Sequence, residues 1–155
     1  MNVRPATLDE ARTLTEIATE AKRYWGYSEQ AMDSFHSTLT LEAEKLDLSP
    51  PFVVEVDSRI VGFYQLIADG ARMELQHLWV EPEHMNQGIG KLLMAHAVAQ
   101  ARVRGAKTIT IDATANAVAF FLSCGARRIG ESPAPASGET GRARQLLEIA
   151  LVGRQ

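Results

Sequence analysis

Val80-Glu81-Pro82-Glu83-His84-Met85-Asn86-Gln87-Gly88-Ile89-Gly90-Lys91 is the stretch that decides how this chain folds. A β-rich run ends at Val80, Pro82 turns the chain, and Gly88-x-Gly90 opens a long helical pattern. Glycines let the backbone fold tightly with its N–H groups pointing at one spot. A helix N-terminus adds partial positive charge there, and the two together bind phosphate. The dipole contributes only about 0.3–1 kcal/mol at an exposed position, so several amides must converge. Two nucleotide patterns do not fit. A nucleotide-hydrolase loop needs Ser or Thr after its lysine, where this chain has Leu92, and a dinucleotide fingerprint needs a third glycine at Leu93. A plain tight turn before a helix is the remaining alternative.

Downstream of that turn, Gly88 to Arg104 reads as an amphipathic helix. Ile89, Leu92, Leu93 and Ala97 point inward, and Lys91, Gln100, Arg102 and Arg104 outward. A strand over Lys107 to Ile111 follows, then a short helix over Asn116 to Cys124 that stops at Gly125, a natural C-cap. A strand pair is expected over Ala126 to Gly130 and Gln145 to Leu151, separated by a Ser/Pro/Gly-rich loop over Glu131 to Gly141. Upstream, Phe52 to Val56 and Ile60 to Ile67 form a hairpin through Asp57-Ser58-Arg59, and Asp69-Gly70 turns the chain into a third strand, Met73 to Val80. Near the start, Asn2 to Ala6 suits an edge strand, and Thr7 to Glu10 has capping-box spacing before a helix that runs to Arg23. Tyr24-Trp25-Gly26-Tyr27 breaks that helix. Ser28 caps a second one with Met32, Phe35 and Leu39 on one face. The order β-α-α-β-β-β-α-β-α-β-β describes an α/β fold, a mostly antiparallel mixed sheet flanked by helices.

Composition bounds the remainder. At 155 residues the chain is expected to be one domain, 1–155, able to bury about 68–70% of its unfolded surface without a metal or disulfide. Sixteen basic residues against nineteen acidic give a net charge of −3, which argues against a general nucleic-acid binder. The single cysteine, Cys124, closes no intramolecular disulfide and supplies no thiolate cluster. The polar, acidic N-terminus lacks signal-peptide order, and no apolar run reaches a membrane span of ~18 residues. A cytoplasmic protein is expected, with no membrane partner and no metal.

Two segments together resemble the GCN5-related N-acetyltransferase (GNAT) superfamily. The glycine turn is similar to that family's acyl-CoA-binding motif. Asn116-Ala117-Val118-Ala119-Phe120-Phe121-Leu122-Ser123-Cys124-Gly125-Ala126 is similar to its later Phe-Tyr motif before a Gly-Ala. The deduced element order also fits the family's fold. The resemblance implies acetyl-CoA as co-substrate, with the pantetheine arm along Leu78, Trp79 and Val80. The pyrophosphate falls on amides of Met85, Asn86, Gln87, Gly88, Ile89, Gly90 and Lys91, and the thiol end on Asn116 and Phe120. Met85 stands at the family's Arg/Gln position, so one side-chain hydrogen bond is missing. Phe121 stands where a tyrosine often protonates the departing thiolate, leaving that proton to water, Tyr27 or Tyr64.

Acetyl transfer to an amine needs the neutral amine, yet an alkylamine with pKa near ~10 is almost all protonated at neutral pH. A positioned base can contribute about 10²–10⁴-fold. Glu74 matches by position the catalytic glutamate of the family's histone-acetylating branch. His77 is the rival, with a titration range suited to the task. Strand alternation puts residues 74 and 77 on opposite faces. The aromatics Tyr24, Trp25 and Tyr27 join the first two helices, where this fold places its acceptor side, and together with Phe121 they are the expected contacts for the acceptor. The expectation is direct transfer of acetyl to the primary amine of a small molecule or peptide. The alternative is a non-catalytic CoA-binding sensor or regulatory module. The family's habits also leave a homodimer open.

Overall fold

The computed structural model describes residues 1–131 and 144–151. The loop expected over Glu131 to Gly141 lies, past Glu131, outside them. The described elements are β1 (Asn2–Pro5), α1 (Ala11–Arg23), α2 (Glu29–Ser34), α3 (His36–Leu39), α4 (Ala43–Leu46), β2 (Phe52–Val56), β3 (Arg59–Asp69), β4 (Arg72–Val80), α5 (Ile89–Val103), β5 (Thr108–Ala113), α6 (Val118–Ser123), β6 (Arg127–Glu131) and β7 (Gln145–Ala150). Seven strands form one sheet in the order β1-β2-β3-β4-β5-β7-β6. The β4–β5 pair is parallel and the β5–β7 and β6–β7 pairs antiparallel, so the sheet is mixed. This is the expected fold class.

The chain divides into two compact units, Met1–Gln65 with His77–Leu93, and Leu66–Gln76 with Met94–Gln155. In the first, the capping box forms: the Glu10 carboxylate accepts from the Thr7 amide at 2.9 Å. Arg4 donates to Glu10 at 2.7 Å and to Glu55 at 3.1 Å, which ties β1 to the start of α1 and to β2. The Arg4 hydrogen bond holds the Glu10 carboxyl well below its ordinary range, at about 2. α1 buries Leu14, Ile17, Ala18 and Ala21, the stripe that its periodicity marks. The β2–β3 hairpin closes on Asp57 and Ser58, both at positive φ (54° and 65°), the conformation of a type I′ two-residue turn.

The single second helix expected after Ser28 is instead broken. Ser28 does cap α2, accepting from the Ala31 amide at 3.1 Å. Past it, Ser34, Thr38 and Thr40 turn their hydroxyls onto backbone carbonyls of Ala31, Phe35 and His36. Two short helices, α2 and α3, replace one and are parted at Phe35. The apolar face survives the break, since Met32, Phe35 and Leu39 are all buried.

In the second unit, β7 lies between β5 and β6. Its ladder with β5 runs from Thr108↔Ala150 to Ala113↔Gln145, and β6 pairs on its other edge. The β4–β5 ladder is short, covering only Arg72↔Thr108, Met73↔Ile109 and Glu74↔Thr110, although β4 continues as a strand to Val80.

Candidate acyl-CoA site

β4 leads into the glycine turn through Glu81. That residue's amide donates to the Val61 carbonyl at 2.8 Å, and its carboxylate takes two hydrogen bonds from Arg59, at 2.8 and 2.9 Å. The bridge fixes the end of β4 to the start of β3. A one-turn 3-10 helix, Pro82–His84, follows and closes with the Met85 amide on the Pro82 carbonyl. His84 Nδ1 lies 3.3 Å from Glu81 Oε1. The chain then passes through Asn86 (φ 63°) and Gly88 (φ 86°) before α5 starts. Asparagine tolerates this left-handed region and glycine has no Cβ to clash in it. The first helical bond runs from the Leu92 amide to the Gly88 carbonyl at 3.0 Å. Among the described backbone hydrogen bonds, no carbonyl takes the amides of Asn86 to Lys91. Asn86, Gln87 and Gly88 are exposed, and a Cβ built on Gly88 meets nothing within 4 Å. Amides without a backbone acceptor at the head of a fifteen-residue helix, with open space over Gly88, are the kind of donors that can take phosphate oxygens.

β4 itself packs closely where it approaches this loop. Gly62 of β3 has no side chain because a Cβ there would meet the Trp79 carbonyl at 2.9 Å and the Leu93 side chain at 3.4 Å. Sequence reasoning missed Gly62; a glycine inside a β-rich run was the available signal. Trp79 donates its indole N–H to His77 Nδ1 at 2.9 Å, as residues two apart on one strand face can do. His77 is 8% exposed and packs beside Phe63. Burial pushes its pKa down to about 4, so the ring is neutral at pH 7. With Nδ1 accepting, the ring proton resides on Nε2, and neither nitrogen offers a lone pair to a substrate. Leu78 and Val80, like Trp79, are half-buried.

A cavity of about 660 Å³ in the same unit is lined largely by glutamates, among them Glu10, Glu55, Glu81 and Glu83. Carboxylate walls repel phosphates, so this volume does not suit CoA, whereas the open amide turn does. The helix corner also belongs to this unit. Tyr24 and Trp25 are 55% and 50% exposed and meet edge to face with ring centres 5.3 Å apart. Tyr27 is half-buried, edge-on to Phe35 at 5.1 Å. Tyr64 has no exposed surface and stacks on Phe52, which closes it to solvent.

In the other unit, Glu74 is half-buried and forms the last β4–β5 pair with Thr110. Asn116 is exposed, and its side-chain oxygen accepts from the Thr114 hydroxyl at 2.6 Å, which orients the amide and leaves its NH2 to donate. Phe120 is half-buried, edge to face with Phe121 at 5.2 Å. Phe121 is only 7% exposed, a core residue of α6. Cys124 is half-buried. Among the described residues, no group of three or more His, Cys, Asp or Glu side chains is placed to hold a metal, and no helix is long and apolar enough to cross a membrane.

Comparison with known proteins places the chain. Residues 12–126 match the acetyltransferase (GNAT) family, and the chain belongs to it: an acyltransferase with acetyl-CoA as co-substrate. Its fold is shared with the PaiA N-acetyltransferase of Thermoplasma acidophilum, solved in complex with coenzyme A (17% identity, 96% of this chain and 98% of that one, TM-score 0.78). The Salmonella typhimurium protein yncA, solved with its cofactor acetyl-CoA, is similar too (20% identity, 100% and 96%, TM-score 0.74). So is the ribosomal-protein-S18-alanine N-acetyltransferase of Escherichia coli (17% identity, 99% and 96%, TM-score 0.72). No curated protein matches the chain in sequence.

Proposed function

We propose that this protein transfers acetyl from acetyl-CoA to a primary amine by direct attack, with Glu74 as the base. The observation that carries the reading is the amide turn from Asn86 to Lys91, where Gly88 at φ 86° leaves the donors open. Acetyl-CoA supplies an activated thioester whose sulfur leaves readily. Amides of the turn hold its phosphates, the backbone of Leu78 to Val80 takes the pantetheine arm, and a strand amide at Trp79 or Val80 meets the developing oxyanion. Asn116 and Phe120 are assigned to the thiol end.

Glu74 takes one proton from the ammonium form of the acceptor. The freed nitrogen lone pair forms the C–N bond as the C–S bond breaks. The second proton, shed by the new amide nitrogen, passes through water to the departing thiolate while Glu74 returns the first to solvent. Two observations favour Glu74 over His77: the half-buried carboxylate stands where the β4–β5 ladder stops, and the His77 ring already accepts from Trp79. Phe121 has no hydroxyl, so the departing thiolate takes its proton from water. Tyr24, Trp25 and Tyr27 bind the apolar body of the acceptor.

Phe121 also supports a second reading, a CoA-binding module without turnover. The test is an assay of acetyl-CoA consumption with spermidine, tyramine, lysine, kanamycin and an alanine-initiated peptide, alongside the shift in Tm on adding CoA. Turnover of any of these supports the enzyme, CoA stabilisation without turnover favours the module, and no stabilisation sinks both. With an active amine, Glu74→Gln should lower kcat/KM by about 10²-fold or more near neutral pH. An unaltered pH–rate profile removes Glu74 from the mechanism.

A further inference from the structure

Lys22 occupies an unusual place for its type. It lies in the last turn of α1 with only 6% of its surface exposed, as buried as the apolar side chains of the core. Lysines are almost never this buried unless the cation has partners, because desolvating an ammonium is costly. Its Nζ sits 4.3 Å from the ring centre of Phe35 and 4.7 Å from that of Tyr27, within the range of cation–π attraction for both. Those two rings also meet each other edge to face, so they form two walls of one small aromatic cage.

The positions of the three residues along the chain give this cage its consequence. Lys22 precedes the helix corner and Tyr27 and Phe35 follow it. Between them the chain leaves α1 through hydrogen bonds from Trp25 to the Lys22 carbonyl and from Gly26 to the Arg23 carbonyl, with Gly26 at φ 86°. Arg23 also pairs with Glu29, a second tie across the same turn, made at the exposed surface. Salt and water weaken such a surface pair, whereas the desolvated cage is shielded from both. The α1 C-terminus adds its negative dipole end beside the ammonium. Tyr24 and Trp25, half-exposed and in mutual contact, are therefore borne on a short loop whose two stems are clamped from beneath by one cation.

We propose that Lys22 is a positioning residue for the acceptor: its caged ammonium clamps Tyr27 and Phe35 to the end of α1 and so holds Tyr24 and Trp25 in their binding position. The proposal rests on the reading of that corner as the acceptor side. A methionine would fill nearly the same volume without the cation, and an arginine would restore a cation able to stack on both rings.

The experiment compares Lys22→Met and Lys22→Arg with the parent protein in two measurements. The first is acrylamide quenching of Trp25 fluorescence, isolated by subtracting the signal of the matching Trp25→Phe protein, since the chain has two tryptophans. It needs no substrate. Lys22→Met should raise the quenching constant and Lys22→Arg return it toward the parent value. The second is steady-state kinetics with the best amine of the panel above. Lys22→Met should raise the acceptor KM about fivefold while the KM for acetyl-CoA stays within a factor of two, and Lys22→Arg should restore it. A folded Lys22→Met protein with parental quenching overturns the clamp. Raised quenching with parental acceptor KM in both Lys22→Met and Trp25→Ala instead overturns the acceptor-side reading, and with it the role of Lys22 in substrate binding.

Discussion

The glycine turn and the α1–α2 corner are both short connections at helix ends, and they work in opposite ways. The turn offers backbone: Asn86 and Gly88 take positive φ, and among the described backbone hydrogen bonds none uses an amide from Asn86 to Lys91. The corner offers side chains: Tyr24 and Trp25 present their rings, and the backbone beneath them is spent on closing α1. A ligand shared by a whole family can be met by the first kind of site, because phosphates ask only for donors. An acceptor that differs from one enzyme to the next needs the second kind, where single substitutions change the surface. On the proposed reading, the turn carries what the family shares and the corner what sets one acceptor apart from another.

The strand feeding the turn tests how far backbone logic extends, and the largest effect is expected there. His77 is neutral and accepts from Trp79, with its folded pKa near 4 against 6.5 for an ordinary histidine. Between those values the unfolded chain binds more protons, so stability rises with pH through this window. The penalty is absent above pH 6.5 and complete below pH 4, on the order of 3 kcal/mol. Urea unfolding at pH 7 and pH 4.5 should show that the parent loses more stability than His77→Gln. Equal losses would mean that the ring is not what makes this strand acid-sensitive.

Gly88→Ala comes next. A left-handed alanine costs about 1–2 kcal/mol, and its methyl enters the space over the amides. The KM for acetyl-CoA should rise about tenfold with the acceptor KM unmoved. In the corner the pattern should invert: Trp25→Ala raises the acceptor KM about fivefold and leaves acetyl-CoA alone, as expected for the loss of a half-exposed aromatic contact. The smallest effect belongs to Met85→Ala. If the turn binds through backbone, this substitution changes the KM for acetyl-CoA by less than about twofold. A tenfold change there would erase the contrast between the two regions.

What could be read from the sequence follows the same division. Ser28 as a cap, Asp57-Ser58 as a turn and Gly88 as the head of a helix all depend on chemistry within a few residues, and all are found where expected. The break in the second helix at Phe35 is hidden in the sequence, because the apolar spacing of Met32, Phe35 and Leu39 runs straight through it. Lys22 could not be recognised at all. Its place between Ala21 and Arg23 gives no sign of burial, and it is the folded corner that brings Tyr27 and Phe35 over its ammonium. The pairing of β7 with β6 is the strand pair that the sequence suggests, whereas its second ladder, with β5, is not written in its own alternation.

The place of β7 between β5 and β6 has a consequence for how the protein is made. β5 and β6 leave the ribosome before β7, yet they are not neighbours in the order of the finished sheet; each pairs with β7 instead. During synthesis both therefore wait with an unfilled edge, the kind of surface that invites pairing with another nascent chain. Among the described strands, it is the later β7 that closes an edge of each.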